Sequence, residues 1–245
     1  MPNPVKVGGG RWHVFEQPDP DQLYCMGVDT ASGKLGANES VATILSIHTG
    51  KQVAIMAGKF TPEEMAGGVI GAGHAYAHKK MPCEIAVEKE YHGMTIINKL
   101  IEVQYPNIYA HDRNLISFRG GATEWGWDAR KYRQTAIDWL QRDIGWSMSG
   151  IPAERKRAVF VNDKDTSTQL MFFKRNAKTG RPEAVHGKYD DRVSALYIAN
   201  WVRRERMGPI FDPPVVEKPY VETWQDRIVA GLRKPGDRDA GPREI

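Results

Sequence analysis

The sequence predicts an α/β fold in which a mixed five-stranded sheet carries helices on both faces. Short apolar runs that suit buried strands stand beside longer segments in which apolar residues recur three or four apart, as on one face of a helix. Three strand-like runs come first, and helix and strand then alternate. Since 41% of the 245 residues are hydrophobic, we expect one main domain with a core of roughly 150 to 200 residues.

The first three strands are predicted to form an antiparallel meander, which a helix follows. LYCMGVD, which ends at Asp29, suits a buried strand, and VATILSIHTGKQVAIMAGKF contains two more that join at a tight turn on Gly50. Thr61 then suits a helix cap, with Pro62 in the first helical position and Glu64 completing a Thr-x-x-Glu capping box. We expect this helix to run to about residue 79.

The next elements complete a familiar order. PCEIAVEKE supplies a fourth strand that ends at Glu88, GMTIINKLIEVQ has the apolar spacing of an amphipathic helix, and NIYAHD gives a fifth strand. Three strands, helix, strand, helix, strand is the order of ribonuclease H-like folds of the resolvase and integrase type. In that order the first and fourth strands are neighbours.

Three further segments are predicted to contain helices. DARKYRQTAIDWLQRDI is a helix capped by Asp128, and QLMFFKRNAKTGRPEAVHG begins in a short helix before a turn at Gly180. DDRVSALYIANWVRRER forms a helix with a strongly apolar face. The two acids at its start are favourable near the positive end of a helix.

The main domain is expected to span residues 23–206. Residues 1–22 are rich in Pro and Gly and are predicted to be a linker or a short lead-in strand. Residues 207–245 are predicted to be a Pro-rich, partly extended tail with one short helix near VETWQDRIVAGL. Since neither a run of about 18 apolar residues nor a secretory leader is visible, we expect no membrane span and an intracellular protein.

The charge of the chain bears on its partners, and its cysteine content bears on disulfide and metal sites. A net charge of +4 and a pI of about 9.0 are compatible with an anionic partner. Basic clusters at residues 129–133, 154–157 and 203–206 suit either phosphate contacts or solvated helix faces. Cys25 and Cys83 belong to no Cys-x-x-Cys pair, so we expect buried free thiols.

Acids that are distant in sequence are predicted to meet at one edge of the sheet. Asp29 ends the first strand, Glu88 ends the fourth, and Asp190 or Asp191 opens the last helix of the core. Neighbouring carboxylates repel unless one takes up a proton or a cation binds, and oxygen ligands suit Mg²⁺ or Mn²⁺. Two such ions roughly 3.5 to 4 Å apart can activate water and stabilise the leaving oxygen of a phosphodiester.

Each acid also has an ordinary structural interpretation. Asp29 would bond the amides of the following turn, Glu88 would pair with Lys89 or a distant Arg, and Asp190 and Asp191 are good helix-start residues in any fold. Taken jointly, in this order of elements, the acids favour the metal site.

Three motifs in order resemble the nuclease domain of the large terminase subunit, the DNA-packaging enzyme of tailed phages and prophages. They are GVDTASG with ESVATIL, VEKEYHGMTII and GKYDDRVSAL, and Gly126-Trp127 and Gln169-Leu170 also fall where the family has similar residues. The resemblance spans roughly residues 16–201. The chain departs from the usual family pattern at Glu39, Glu90, Tyr91 and Tyr189.

The resemblance implies a set of roles for these residues. Asp29, Glu88 and Asp191 would be the catalytic, metal-binding acids of a two-metal endonuclease that cuts concatemeric double-stranded viral DNA with little sequence preference, and Asp190 would be a further metal ligand. Asp191 is preferred because it shares a helical stripe with apolar residues suited to the sheet. The predicted DNA contacts come from the basic clusters: Arg130, Lys131, Arg133, Arg155, Lys156, Arg203 and Arg204.

The resemblance also implies partners and a location. The partners would be double-stranded DNA, the terminase ATPase domain, the portal protein and the small terminase subunit, in the cytoplasm of an infected or lysogenic bacterial host. No Gly-x-x-x-x-Gly-Lys-Ser/Thr motif occurs, so the ATPase motor is predicted to be absent from this chain.

Several different functions are compatible with parts of the sequence. GVDTASG also resembles the first phosphate loop of actin and sugar-kinase ATPases, but a second Asp-x-Gly candidate, DAG at 239–241, lies in the Pro-rich tail. A Holliday-junction resolvase or transposase-like nuclease is a second candidate, and a non-catalytic DNA-binding or portal-docking module is a third. A substrate contact by His92 or His186 is possible, but a surface or capping role is the favoured interpretation of a lone histidine. His74 and His78 are four residues apart, and we attribute this spacing to chance rather than to a zinc site.

Overall fold

The computed structural model describes residues 5–7, 11–31, 38–90, 92–111, 124–176, 182–185 and 189–207, all within one compact unit that spans Met1–Gly208. The strands are β1 (Val5–Val7), β2 (Trp12–Val14), β3 (Tyr24–Asp29), β4 (Ser40–Ser46), β5 (Gln52–Gly58), β6 (Glu84–Val87), β7 (Phe173–Arg175) and β8 (Pro182–Ala184). The helices are α1 (Pro62–Ala75), α2 (His92–Glu102), α3 (Ala129–Trp146), α4 (Pro152–Arg157), α5 (Lys164–Phe172) and α6 (Asp191–Met207).

The main sheet has the order β1-β2-β5-β4-β3-β6 and confirms the predicted fold class. Strands β3, β4 and β5 form the predicted antiparallel meander, and β6 lies parallel to β3 with Val28 opposite Val87. The predicted fifth strand is reduced to a short bridge. There Ile108 pairs in parallel with Ile85, and the Tyr109 N–H donates to the Ile85 carbonyl at 2.8 Å.

The lead-in residues add strands at the other edge of the sheet. β1 pairs with β2, and β2 pairs antiparallel with β5 through Trp12 and Met56. Trp12 and Val14 are buried in the main core, so this segment is part of the sheet and not a linker. The predicted turn at Gly180 and the tail beyond Met207 lie outside the described residues.

Helices cover both faces of the sheet, as predicted. On one face, α1 and α2 bury side chains such as Met65, Val69 and Ile96 against β3, β4 and β5. On the other face, α3 and α6 bury Leu140, Leu196 and others in a second cluster. Among the described residues, no helix is long and apolar enough to cross a membrane.

Gly27 brings α6 unusually close to β3. A Cβ added to Gly27 would lie 2.2 Å from the Ala195 carbonyl oxygen and 2.4 Å from the Ala199 nitrogen, both main-chain atoms of α6. Only a residue without a side chain allows the two backbones to approach this far. The start of α6 is thereby held beside the end of β3, where Asp29 lies.

The predicted capping interactions are observed, but the first helix is shorter than expected. The Thr61 hydroxyl accepts from the Glu64 N–H, and the Glu64 carboxylate accepts from the Thr61 N–H, as in a capping box. α1 ends at Ala75 and not near residue 79, because Tyr76 turns into the core and its hydroxyl donates to the Glu16 carbonyl at 2.8 Å. Lys79 then has a left-handed backbone with φ of 55°.

Candidate active site

Six acidic residues line one cavity of about 430 Å³, and four of them are the acids that the sequence analysis predicted to meet. Asp29 comes from the end of β3, Glu88 follows β6, and Asp190 and Asp191 stand at the start of α6. The structure therefore brings together the acids that the strand order and the motifs predicted to meet. The remaining lining residues are Thr30, Ala31, Asn38, Glu39, Glu90, His92, Arg133, Ser194 and Tyr197.

Asp29 and Glu88 form a carboxyl pair because β3 and β6 are parallel neighbours. The Glu88 N–H donates to the Val28 carbonyl at 3.0 Å, which sets the two acids side by side. Burial raises the pKa of Asp29 well above its ordinary value, and the charge of Glu88 and a hydrogen bond between the two carboxyl groups add to this effect. Burial also raises the pKa of Glu88. Two buried carboxyl groups this close disfavour a charge on both, and a proton or a cation would relieve that repulsion.

Asp191 is held by the chain segment that precedes β4. Its Oδ2 accepts a hydrogen bond from the Glu39 main-chain N–H at 2.9 Å, and the residue is only 4% exposed. Burial raises the pKa of Asp191 to about 6, although the Glu39 hydrogen bond acts in the opposite direction. The adjacent Asp190 caps α6 with its carbonyl, which accepts from the Ser194 N–H at 2.8 Å.

Arg133 brings positive charge into this acidic cavity. Its Nη2 donates to Asp190 Oδ2 at 3.1 Å, and the side chain is 43% exposed. Burial lowers the pKa of Arg133, but Tyr197 and the acids Asp190, Glu88 and Asp29 outweigh it and raise the pKa overall. The guanidinium is thus held over the acids at a point that solvent reaches.

Two glycines in the recognised motifs shape the surroundings of Glu88. A Cβ on Gly93 would lie 1.8 Å from the Glu88 carbonyl oxygen, so the start of α2 packs directly on that residue. Gly126 has φ of +94°, and a Cβ there would meet the Val87 carbonyl at 2.9 Å. The next residue, Trp127, donates its N–H to the same carbonyl at 2.7 Å and fills the core beneath the site.

The sequence analysis did not single out Ser194 and Tyr197 as cavity residues. Ser194 lies three residues after Asp191 and Tyr197 three residues after that, so the helical period was a usable signal. Burial raises the pKa of the Tyr197 hydroxyl, and the charge of Glu88 adds to this effect. The hydroxyl is therefore neutral at physiological pH beside the carboxyl pair.

The donor set of the cavity fits hard divalent cations. Within the described ranges, no group of three or more His, Cys, Asp or Glu side chains is close enough to form a ready-made metal cage. Asp29, Glu88, Asp190 and Asp191 instead surround a space. Burial raises the pKa of Asp29, Glu88 and Asp191, and the charges of neighbouring acids add to this effect. A divalent cation would offset these charges, and carboxylate oxygens are the ligands that Mg²⁺ and Mn²⁺ prefer.

The predicted DNA contacts divide into two groups by position. Arg130 and Lys131 lie on the first turn of α3, close to Arg133, and their side chains are 81% and 62% exposed. Arg155 and Lys156 lie on α4 and are also exposed. α4 lies near the C-terminal end of α6, where Arg203 donates to its main-chain carbonyls. That end is about 20 Å along the helix axis from Asp191, and so from the acidic cavity.

Two of the predicted DNA contacts are wrong. Arg203 is completely buried and donates to the main-chain carbonyls of Ile47, Lys156 and Arg157. Arg204 is engaged by the buried carboxylate of Asp143, with Nε 2.7 Å from Oδ2. A basic run in a sequence does not reveal that its members already have buried partners, and here those partners leave neither guanidinium available to phosphate.

The structure places the histidines in different surroundings. His74 packs edge-on against Tyr105, and the main chain of His78 pairs with that of Met81 in a turn. His92 lines the acidic cavity. The sequence analysis gave a position beside the substrate only as the less favoured interpretation of this residue. His186 lies outside the described residues.

The resemblance extends to three-dimensional structures. No family model matches the sequence, and no curated protein matches it significantly. The large terminase nuclease from thermophilic phage G20c, solved with bound magnesium, shares 18% identity and a TM-score of 0.58 over 82% of this chain and 91% of its own. The large terminase nuclease domain of Thermus phage P74-26 has 18% identity and a TM-score of 0.55 over 81% and 88%. This chain therefore has the ribonuclease H-like fold of the phage large terminase nuclease domains.

Proposed function

We propose that this chain is a metal-dependent endodeoxyribonuclease, the nuclease domain of a phage large terminase, which cuts concatemeric double-stranded viral DNA during packaging. The observation that carries the proposal is the meeting of Asp29, Glu88, Asp190 and Asp191 on one cavity. The fold shared with large terminase nucleases supports it. We expect little sequence preference in the cut.

Two divalent cations, Mg²⁺ or Mn²⁺, would be held by Asp29, Glu88 and Asp191, with Asp190 as a further ligand. The fit rests on the all-oxygen donor set and on the gathering of these acids, partly buried, around one cavity. Structures of the G20c nuclease with bound magnesium and with bound cobalt support a divalent site in this fold. When bound, such ions supply an activated water and stabilise the departing oxygen of a phosphodiester.

The chain's own residues would place the substrate over that centre. Arg133 lines the cavity and is solvent-accessible, so it would orient the phosphate that is cut. Asp29 is the proposed shared ligand, because it ends β3, between Glu88 just after β6 and Asp191 at the start of α6. Glu39 fixes the Asp191 carboxylate through its main-chain N–H.

Arg130 and Lys131 would hold backbone phosphates of the duplex beside the cavity. Both are exposed at the start of the helix that carries Arg133. Arg155 and Lys156, near the far end of α6, remain proposed contacts for a more distant part of a long duplex. Because such contacts release counterions, binding should weaken with salt.

The proposed setting follows from the same family. We propose that the chain acts with the terminase ATPase domain, the portal protein and the small terminase subunit in the cytoplasm of an infected or lysogenic bacterium. These partners bring DNA to the nuclease. None of them is needed for the test that follows.

The decisive experiment is plasmid cleavage by the intact chain with Mg²⁺ or Mn²⁺. Asp29→Asn should lose cleavage, because it removes the shared carboxylate. Glu102→Gln is the matched control, since that exposed acid pairs with Lys99 on α2 and lies outside the acidic cavity. If Asp29→Asn cuts as fast as the parent, the assignment is wrong.

The same assay separates the nuclease from the competing functions. A Holliday-junction resolvase or transposase-like enzyme would prefer four-way junctions or transposon ends to plain duplex. An actin or sugar-kinase type ATPase would hydrolyse ATP without DNA. A non-catalytic docking module would retain Asp29-dependent metal binding at most, with no cleavage under any metal.

A further inference from the structure

Arg192 lies directly behind Asp191 and is bound on several sides. It is the second residue of α6, and its side chain is 11% exposed. Its Nε donates to Glu39 Oε2 at 3.1 Å and its Nη1 donates to Asp163 Oδ2 at 2.9 Å. Asp165 lies 3.5 Å from Nη2. The charge of this guanidinium is therefore taken up by carboxylates within the protein and is not offered to substrate.

These contacts join the segments that surround Asp191. Glu39 precedes β4, and Asp163 caps α5 by accepting from the Thr166 N–H at 2.8 Å. The main-chain N–H of Arg192 also donates to the side-chain oxygen of Gln169 on α5, at 2.9 Å. Arg192 thus ties the start of α6 to two other parts of the fold.

One of these ties reaches the candidate metal centre itself. The Glu39 main-chain N–H donates to Asp191 Oδ2, and the Glu39 side chain is held by Arg192. We propose that Arg192 is a positioning residue, which holds Glu39 so that its N–H fixes the Asp191 carboxylate toward the cavity. This inference rests on the proposed metal centre and adds to it a determinant of metal affinity.

The chemistry of the contacts explains why Arg is needed. A planar guanidinium presents several N–H donors in fixed directions and can serve Glu39 and Asp163 at once. A Lys ammonium keeps the charge but is a compact group that cannot span both carboxylates in the same geometry. Groups that orient a metal ligand in this way typically change metal affinity or activity by about 10- to 100-fold when they are lost.

The test is a titration of the intact chain with Mn²⁺, in which the electron paramagnetic resonance signal of the free ion measures how much Mn²⁺ remains unbound. Arg192→Lys should raise the Mn²⁺ dissociation constant by about 10-fold, with a smaller kcat and an unchanged KM for DNA. Arg206→Lys is the matched control. Arg206 lies on the same helix and forms a two-bond pair with the buried Glu84, at 2.5 and 2.6 Å, but it is distant from the cavity.

A purely structural role predicts a different outcome. In that case Arg192→Lys and Arg206→Lys would lower the Tm alike and leave Mn²⁺ affinity and kcat unchanged, which would overturn the proposal. If the Lys variant does not fold, Asp163→Asn provides the second route, because it weakens the hold on Arg192 from outside the cavity and leaves the Glu39 charge in place. Asp163→Asn should also weaken Mn²⁺ binding, and unchanged binding would contradict the proposal.

The result also separates this inference from the nuclease proposal. Mn²⁺ binding that needs Asp191 and Arg192 in a chain that does not cut DNA would refute the nuclease and support the positioning role. If Arg192→Lys still cuts DNA and binds Mn²⁺ as tightly as the parent, the result would support the nuclease and refute the positioning role. If the wild-type chain binds no Mn²⁺, the positioning role fails as well.

Discussion

The two ends of α6 treat charge in opposite ways. At the N-terminal end, Asp190 and Asp191 join Asp29 and Glu88 around a cavity. Among the residues that the structure describes, Arg133 is the one Lys or Arg that lines this cavity. At the C-terminal end, Arg204 is matched to the buried Asp143 and Arg206 to the buried Glu84. The first end carries an excess of one sign beside open space, and the second is neutralised.

The difference identifies which end is suited to chemistry. A matched, buried ion pair fixes structure and has no need of a ligand, because each partner already satisfies the other. An unmatched carboxylate cluster has raised pKa values and becomes stable when a proton or a cation joins it. One helix therefore serves as a structural anchor at one end and presents a candidate metal site at the other.

The largest expected effect is the loss of cleavage in Asp191→Asn. An amide keeps the size of the side chain but removes the charge that would hold a divalent ion. We expect the rate of plasmid cleavage to fall by more than about 100-fold, beyond the usual effect of changing a group that only orients a ligand. The measurement is single-turnover cleavage of supercoiled plasmid with saturating Mg²⁺.

A control at the same helix end keeps this prediction specific. Asp190→Asn should reduce cleavage less, since Asp190 also serves as the partner of Arg133. Equal losses in both variants would make the two acids equivalent ligands. Full activity in Asp191→Asn would show that the charge excess at this end is not used for catalysis.

At the other end, Asp143→Asn should affect stability and not chemistry. Asp143 is fully buried and accepts from Arg204 and from the Asn200 amide at 2.7 Å, so the variant leaves a buried guanidinium without its counter-charge. We expect a loss of about 3 kcal/mol in the free energy of unfolding. Urea denaturation measures it, and cleavage per folded molecule should match the parent at a temperature where both are folded.

This contrast was only partly visible in the sequence. Strand order and the helical period placed Asp29, Glu88 and Asp191 correctly, because those patterns fix which residues share an edge or a face. The partners of the basic run at 203–206 lie between 46 and 156 residues away in sequence, on β6, α3, α4 and the turn after β4. No local sequence pattern indicates such pairings, which is why the basic run alone predicts DNA contacts at Arg203 and Arg204.

The same limit applied to the sheet and to the site. The lead-in segment joins the sheet because Trp12 and Val14 find an apolar surface on β5 and α1, whereas a composition rich in Pro and Gly left a linker and a short strand as alternatives. The motif GKYDDRVSAL contains Arg192 but does not indicate what this residue contacts. Its role depends on Glu39 and Asp163, which the fold alone brings to it.

A third prediction concerns the pH dependence of stability without metal. The pKa of Asp191 rises from an ordinary value of 3.8 to about 6 on folding, so the folded chain binds more protons between these values. Its contribution to stability is complete below about pH 4 and is lost as the pH rises through 6. We expect the Tm in EDTA to fall by a few degrees across this window, relative to Asp191→Asn.

The comparison with Asp191→Asn reduces the contribution of the other acids. The raised pKa values of Asp29 and Glu88 extend the loss in both proteins, so the difference between the two Tm curves reports Asp191 together with the effect of its charge on Asp29. Adding Mg²⁺ at pH 7.5 should raise the Tm of the parent more than that of the variant. A difference curve that rises with pH would contradict the charge excess at this end of α6.

The smallest expected effect separates the two groups of exposed basic residues. Arg133→Ala should lower the slope of log affinity against log salt for a short duplex by about 1, because one phosphate contact beside the cavity is lost. Lys156→Ala, near the far end of α6, should leave that slope unchanged when the duplex covers only the acidic cavity. The measurement is fluorescence anisotropy with Ca²⁺ in place of Mg²⁺. If Lys156→Ala changes the slope as much as Arg133→Ala, DNA lies along the whole helix, and the neutralised end would then share in binding although it takes no part in the cut.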